Sequence, residues 1–498
     1  MANPRLTRRR LVASAGFFAL AAPVLAACGG GATTAPTTAP AAAAPTNTPA
    51  AAAAAKPTEA PKPSEAAKPT EAPKPAAAAT KPAEAAKPTE APKPAQAPAT
   101  GASFDLSLAV FPDRPWMRRW AQSWVEKNPG AKLKIDDIPY GDMNTKQLTM
   151  LATGTMQDVV FSGNKWLRYS AYKGAFRAME DFTKTKMYDK DDMIPSAVDG
   201  GMFEGKLYGL PSEWNPGNIN VIMYNKDMVQ AKGVKEPTDN WTHDDYTDFA
   251  TKMTDTAKNV YGTDIFPVTY YDFGDLVRDL GGDVMSDDGK KFLFGTDPKN
   301  REVAQWLVDL RVKLKVAPNR AGMQQEQIFP TGKIASTATN AVSVKSTSKQ
   351  IGDKFKWGAV LGPTGKEGLR GYDSFSLHWN IFSKSKLPDK AYDLLFTLSS
   401  KDAATDALRA EGQVPARFSV WRDTEANKES DIFKRVADWV SDSRHKGPFP
   451  IPENLRYTEL ETTFENVGFP MFYGEEEFEA GLKKTQEACQ KIMDQPRG

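Results

Sequence analysis

Residues Gly29 to Ala102 cannot build a hydrophobic core, and that confines folding to the rest of the chain. Of these 74 residues 29 are Ala and 15 are Pro, and none is aromatic. The octapeptide Lys-Pro-Thr-Glu-Ala-Pro-Lys-Pro occurs three times, from Lys56, Lys68 and Lys87. So little apolar area does not offset the entropy of ordering a chain, and the segment reads as disordered. Proline keeps it extended at about 3.1 Å per residue, a reach of roughly 200 Å. No Gly-X-Y period is present, which excludes collagen. Residues 29–102 therefore read as a stalk, and the body begins at Ser103.

Residues 1–28 have the pattern of an export signal. Arg5, Arg8, Arg9 and Arg10 precede an apolar run from Leu11 to Leu25. That run is shorter than the roughly 20 residues a spanning helix needs. Thr7-Arg8-Arg9-Arg10-Leu11-Val12 resembles the twin-arginine motif, which implies export of a folded protein. Leu25-Ala26-Ala27-Cys28 resembles the bacterial lipoprotein box, in which the cysteine is acylated and becomes the new N-terminus. The alternative is an ordinary cleaved signal with an incidental cysteine.

Charge divides along the same boundary. The whole chain carries 64 Lys+Arg against 62 Asp+Glu, but the signal has four basic residues and no acid, and the stalk seven Lys and five Glu. The body from Ser103 is left with 53 basic and 57 acidic residues, a net −4, and with 48 of the 50 aromatics. An acidic, aromatic-rich exported body argues against nucleic acid and anionic lipid as its partners. Two cysteines exclude a disulfide scaffold and a multi-cysteine metal cluster. Cys489 shares a helical pattern with Phe478, Leu482, Ile492 and Met493 and is expected to be a buried free thiol.

Within the body, strand and helix patterns alternate. Phe104 to Val110 has period-two apolar residues and reads as a half-buried strand. Pro115 opens a helix with Trp116, Trp120 and Trp124 on one face, and Asn128-Pro129-Gly130 stops it. A strand around Leu133 and Ile135, a helix around Leu148 and Leu151, a strand Val159-Val160-Phe161 and a helix from Lys165 to Tyr172 follow. This alternation predicts α/β architecture with parallel sheets flanked by helices. At 396 residues one core would be oversized, so two lobes are expected.

Several stretches in this order carry a family resemblance. Leu148 to Phe182 reads as a helix, a small-residue turn, an Asp158-Val159 strand and a later turn that resembles a Gly-x-Leu-x-x-Leu pattern. Gly205-Lys206-Leu207-Tyr208-Gly209-Leu210-Pro211 is followed by Ile222-Met223-Tyr224-Asn225-Lys226. Glu236-Pro237-Thr238 to Phe249 is similar to a Pro-x-Thr-Trp-Asp-Glu-Phe helix entry, although Asp239-Asn240 precede Trp241. Gly281-Gly282, Thr331-Gly332-Lys333-Ile334-Ala335 and Gly412-Gln413-Val414-Pro415-Ala416-Arg417 complete the set. Together these resemble the family 1 extracellular solute-binding proteins, the maltose-binding-like receptors of ABC sugar importers. The resemblance implies a two-lobed periplasmic-binding-protein-like fold (type II), each lobe a sheet flanked by helices, the two joined by a hinge. It places lobe one at 103–220 plus 375–425 and lobe two at 221–374 plus 426–498, with crossings near Asn218 to Asn225 and Ser374 to Ile381. It further implies capture of a carbohydrate and its delivery to ABC permease subunits, a monomer lipid-anchored through Cys28 on the outer face of the membrane, and neither a metal nor a cofactor.

Candidate ligand contacts follow from the rule that open α/β sheets bind beyond the carboxyl ends of their strands. A sugar needs aromatic surface for its C–H faces and planar amides or carboxylates for its hydroxyls. Phe111 and Asp113 follow the first strand, and Asn164 and Trp166 follow the third, where Trp166 is either a cleft or a core residue. Glu213, Trp214 and Asn215, between Leu210-Pro211 and Pro216-Gly217, are expected on a loop. Tyr271 and Asp272 open a helix after Pro267, and Asn340 follows an Ile334-Ala335 strand. Tyr372 and Asp373 precede the second crossing, and Arg417 ends the last landmark. Trp241 is expected to pack a helix, and His378 to pack within a strand.

The competing readings are a receptor for a non-sugar solute, such as a sugar phosphate, polyamine or peptide, and a secreted glycan-cleaving lipoprotein. Paired carboxylates for the latter are compatible with so many acidic residues. Against it, His243, His378 and His445 stand apart, with no His-Glu-x-x-His helix and no Gly-x-Ser-x-Gly elbow.

Overall fold

Two large β-sheets divide the body; the chain leaves the first for the second and returns, and its C-terminal helices then pack on the second again. The computed structural model describes residues 103–498 except 268, 320–327, 443, 446 and 448–450, so the signal, Cys28 and the stalk lie outside the described residues. The strands used below are β1 (Phe104–Val110), β2 (Ala131–Asp137), β3 (Val159–Gly163), β4 (Leu210–Asn215), β5 (Val221–Asn225), β6 (Tyr261–Thr263), β7 (Ile334–Thr339), β8 (Trp357–Leu361) and β9 (Phe375–Ile381). The helices used below are α1 (Pro115–Lys127), α2 (Asn164–Tyr172), α3 (Tyr270–Asp279), α4 (Ala341–Ile351), α5 (Tyr457–Phe472) and α6 (Phe478–Met493).

The first sheet has the order β2-β1-β3-β9-β4 and the second β8-β5-β7-β6. Strands β1, β2 and β3 run parallel, as the alternation predicts, but β9 is antiparallel to both β3 and β4. In the second sheet β5 is antiparallel to β7 and β8, and only β6 and β7 are parallel. The sheets are thus mixed rather than parallel. Alternation fixes direction only for strands joined by a local crossover; β9 enters its sheet from the other one, and its direction follows from that return.

One core runs from the first sheet onto one face of the second, through Val221, Met223, Ile334 and Leu361, and another lies on the second sheet's opposite face. In the first, Leu106, Leu108, Val159, Phe161, Trp379 and Ile381 are buried, and α1 closes one face with Trp116, Met117, Ala121 and Trp124. The Trp379 ring lies 4.3 Å from Phe161 and 6.3 Å from Trp116, centroid to centroid. The second core is an aromatic cluster of Tyr246, Phe273, Phe292, Phe294, Phe464 and Phe472, covered by α5 and α6. Each such side chain contributes about 1.5–3 kcal/mol on full burial. Cys489 of α6 is a buried free thiol, its pKa raised by desolvation. Trp241 is buried with Nε1 donating to the Leu361 carbonyl (3.0 Å), and buried His378 bonds the Ala197 carbonyl through Nε2 (2.8 Å).

Residues 216–220 carry the chain from β4 to β5, and 362–374 carry it back from β8 to β9. The two segments are bonded to each other, Asp373 N donating to Pro216 O (2.8 Å) and Gly362 N to Asn220 O (2.8 Å). The return segment is also fastened to α3. Arg278 donates to the Tyr372 carbonyl (2.8 Å), and Gly371 N donates to Asp279 (2.7 Å). Gly217 has φ 132° and lies so close to the Asp275 carboxylate that a Cβ there would collide with it, so the crossing requires glycine.

Candidate functional site

The candidate site lies where the ends of β3 and β9 meet the starts of α3 and α5, and its first wall is aromatic. Strand β3 ends at Gly163 and delivers the start of α2 to the carboxyl edge of the sheet. There Trp166 packs against Tyr140 (5.9 Å between centroids) and Phe375 (6.3 Å), and Tyr140 also meets Phe375 (6.2 Å). Tyr140 is 36% exposed, and Trp166 and Phe375 are half-buried. A Cβ on Gly163 would sit 2.7 Å from the Trp166 ring, so glycine there lets the indole lie back on the strand end. Phe111 is fully buried behind this wall, edge-on to Tyr140 (5.5 Å) and Phe161 (5.1 Å), and supports the rings from within.

Charged groups flank the rings. Arg114, after β1, forms an ion pair with buried Glu213 of β4. Burial raises the Glu213 pKa against the opposing charge and hydrogen bond of Arg114. Lys165 of α2 donates to Asp373 on the return segment at 2.9 Å, both side chains being buried. Its ammonium lies 2.6 Å from the centroid of Tyr271 and 5.3 Å from those of Phe375 and Tyr457. Burial lowers the Lys165 pKa, with Asp373 and Glu461 acting in the opposite sense.

The second wall is polar and acidic. Thr269 caps α3, accepting from Asp272 N (3.2 Å), and so brings Tyr271 and Asp272 to the junction. Asp272 is fully buried and accepts from Asn218 (3.0 Å), which in turn accepts from Asn340 (3.2 Å). Asn340 also caps α4 by accepting from Ser343 N (2.9 Å). Helix α5 places Tyr457, Glu461 and Glu465 on one face, four residues apart. The Tyr457 ring stacks on Tyr271 (6.0 Å, 29°), and Glu461 accepts from both tyrosine hydroxyls. Burial pushes Asp272 up to about 7, an effect reduced by Lys165, and pushes Glu465 up to about 8, reinforced by Glu461 and Asp272.

The junction thus brings together Trp166, Tyr271, Asp272, Asn340 and Asp373 from the expected set, with Phe111 and Glu213 behind them. Trp214 departs from expectation. It lies within β4, not on a loop, and is 1% exposed, with Nε1 donating to Ser374 Oγ (2.7 Å) and its ring against Tyr372 (6.2 Å) and Trp421 (5.8 Å). Trp214 therefore packs beneath the crossing segments, against Tyr372 of the return segment. Asn164 is also buried structure, donating to Ser374 O (2.6 Å) and accepting from Ser376 N (3.3 Å). Arg417 is committed to Asp192 (3.3 Å) and the Ser399 carbonyl (3.0 Å). Asp113 is exposed, and Asn215 accepts from Gly217 N (3.4 Å) at the end of β4. Arg114, Tyr140, Lys165, Phe375, Tyr457 and Glu461 were not among the expected residues. Among the described residues no group of three or more His, Cys, Asp or Glu side chains is placed to hold a metal ion.

A family model described as bacterial extracellular solute-binding protein matches residues 120–434. The chain belongs to that family. This solute-binding protein is 24% identical over 309 residues to a protein of Brucella abortus (strain 2308) named as a binding protein, covering 60% of this chain and 72% of the relative. Among solved structures it resembles an ABC substrate-binding protein of Listeria monocytogenes in complex with cycloalternan. That match has 22% identity and a TM-score of 0.69, and covers 78% of this chain and 99% of the other. It also resembles the GacH receptor of Streptomyces glaucescens, solved unliganded and with acarbose (18% identity, TM-score 0.67, 80% and 100% covered). A third match is a solute-binding protein of Thermotoga lettingae bound to tagatose (20% identity, TM-score 0.66, 78% and 100% covered). These likenesses establish for the solute-binding protein a two-lobed α/β fold. Among the described residues no helix is long and apolar enough to cross a membrane.

Proposed function

We propose that this protein is the receptor of an ABC importer and that it captures a carbohydrate between its lobes for delivery to a membrane permease. The observation that carries the reading is the junction itself. Three rings, Tyr140, Trp166 and Phe375, form one wall, and hydrogen-bonding groups of Asn218, Asp272, Asn340 and Glu461 form the other. Rings accept the C–H faces of a sugar while amides and carboxylates take its hydroxyls. The carbohydrates in the Listeria, Streptomyces and Thermotoga complexes support the same solute class. The lobes, 103–220 plus 375–425 and 221–374 plus 426–498, hinge about the segments that join them, and the ligand favours closure through its better contacts in the closed state.

The reading includes no catalysis, no cofactor and no nucleic acid. It has a monomer tethered by an acylated Cys28 to the outer face of the cell membrane, with 29–102 as its stalk. Calorimetry and tryptophan fluorescence with a panel of mono- and oligosaccharides test the solute. Saturable one-to-one binding with the sugar recovered intact is expected; breakdown of the sugar would make the protein an enzyme. Binding only to a sugar phosphate, polyamine or peptide would keep the receptor and discard the carbohydrate. Cys28→Ser is expected to release the protein from the membrane fraction, and unchanged retention would discard the anchor.

A further inference from the structure

Leu455 holds a backbone conformation that favours glycine. Its φ is 62°, in the left-handed region, where a bulky side chain is rarely found. A turn sets it there, Leu455 N donating to the Pro452 carbonyl (3.0 Å). Asn454 fastens that turn to the end of α6. Its Nδ2 donates to the carbonyls of Ile492 (2.7 Å) and Gln495 (3.1 Å), and its own carbonyl accepts from Gly498 N (3.1 Å). The turn is thus anchored beside the core of the second sheet, to which α6 belongs.

The side chain is used on the other side of the junction. Leu455 is buried with Ala171 and Phe203 in a cluster separate from both cores, and Tyr169 and Tyr208 pack against it. Tyr169 and Ala171 lie on α2, and Phe203 and Tyr208 belong to or follow a short hairpin of Met202–Phe203 with Lys206–Leu207. All four partners lie within 103–220. A strained residue persists only where its surroundings over-determine it, and such residues collect at clamps and switches. Glycine would relax this turn and lose the contact. Arg497 adds an ion pair to Glu204 of the hairpin (3.0 Å) and lies 5.8 Å from the Tyr172 centroid. An exposed pair of this kind contributes little, so the apolar contact carries the hold.

Its position ties the contact to the site. Leu455 stands two residues before Tyr457, where α5 and its part of the second wall begin. Helix α2 carries Trp166 of the first wall near its start and Ala171 near its end. Docking Leu455 on α2 therefore brings together the helices that bear opposite walls.

We propose that Leu455 is a latch between the lobes, and that it holds the junction closed in the protein without a solute. This rests on the hinged two-lobe reading above and adds to it a contact that acts before any sugar arrives.

A surface contact supplies the test. Asn144 Nδ2 of the first lobe and Thr458 Oγ1 of the second are 3.5 Å apart, so Asn144→Cys/Thr458→Cys reports closure by forming a disulfide. The full-length chain is used with Cys28→Ser, since the remaining Cys489 is buried. With oxidised glutathione and no sugar, Leu455→Gly is expected to slow the disulfide about fivefold, while Leu455→Met keeps the native rate. Arg497→Ala is expected to change it less than about twofold. Thermal melting checks folding, and Phe203→Ala, which empties the other side of the same contact, decides the matter should Leu455→Gly not fold. An unchanged rate in the folded variants overturns the latch. Hydrogen exchange judges the hinge separately. Forming the disulfide in Leu455→Gly is expected to slow exchange at the starts of α2 and α5, and no slowing would overturn the hinge and the latch with it.

Discussion

The two walls of the junction are built by different means. The wall from the first sheet is a set of rings held by strand ends, with Phe111 buried beneath and Gly163 cleared to let Trp166 lie flat. The wall from the second is a set of acids and amides held by helix starts and one helix face, with Thr269 and Asn340 acting as caps. The first offers area and little direction; the second offers direction, charge and a desolvation cost. Stacking surfaces tolerate many solutes, whereas buried acids and amides reject a solute that fails to satisfy them. Affinity is therefore expected to depend on the first wall and selectivity on the second.

That division can be broken or sharpened, beginning with the scaffold behind both walls. Trp214→Ala removes a ring that is 1% exposed, and a stability loss of about 3–5 kcal/mol is expected in urea unfolding. A stable variant with weakened binding would return Trp214 to the first wall. Asp373→Ala leaves the Lys165 ammonium buried without its partner and is expected to cost about 3 kcal/mol in the same assay.

The second wall should respond to pH. In the folded protein Asp272 titrates at about 7 and Glu465 at about 8, both above ordinary carboxyl values. Between roughly pH 4 and 8 the folded state thus holds protons that the unfolded chain has released, and stability from these groups is lost as pH rises through that window. From pH 5 to pH 8 the native protein is expected to lose stability relative to Asp272→Asn/Glu465→Gln. A constant gap between the two would show that these groups do not respond.

On the first wall, Trp166→Ala is expected to weaken binding about tenfold, or about 1.4 kcal/mol, with a smaller effect on stability because the ring is only half-buried. The smallest effect is expected at a long surface contact, where Asn144 Nδ2 reaches Thr458 at 3.5 Å. Asn144→Ala should change stability by less than about 0.5 kcal/mol.

Sequence patterns revealed local structure well and the junction only in part. The strands from Phe104 and Val159, the Pro115 helix and the burial of Trp116, Trp124, His378 and Cys489 all follow from periodicity, and all are present. The Glu213–Asn215 stretch misled because Pro211 and Pro216-Gly217 flank it. Yet β4 takes Pro211 next to a shift of its register against β9 between Leu377 and His378, an irregularity of the kind that tolerates proline in a strand. Asp113 follows β1 at the carboxyl edge of the sheet, but it is exposed to solvent while its neighbour Arg114 turns inward to Glu213. Lys165 could have been found, since it stands between two chosen residues at the end of β3. Tyr457 and Glu461 could not. They reach the junction from a C-terminal helix nearly 300 residues away, and only the packing of α5 against α2 and α3 brings them there.

Strand β9 sets the order in which this body can be made. It lies between β3 and β4, bonded to both, yet it comes from the far side of the second sheet. A nascent chain therefore displays β3 and β4 with unpaired edges until Ile381 has emerged, by which time every strand of the second sheet has been synthesised. Such long-range closure is slow, and exposed edges invite pairing with other chains. The first sheet should become protease-resistant only after the second, and chains truncated before Phe375 should aggregate even though β1 to β3 are complete.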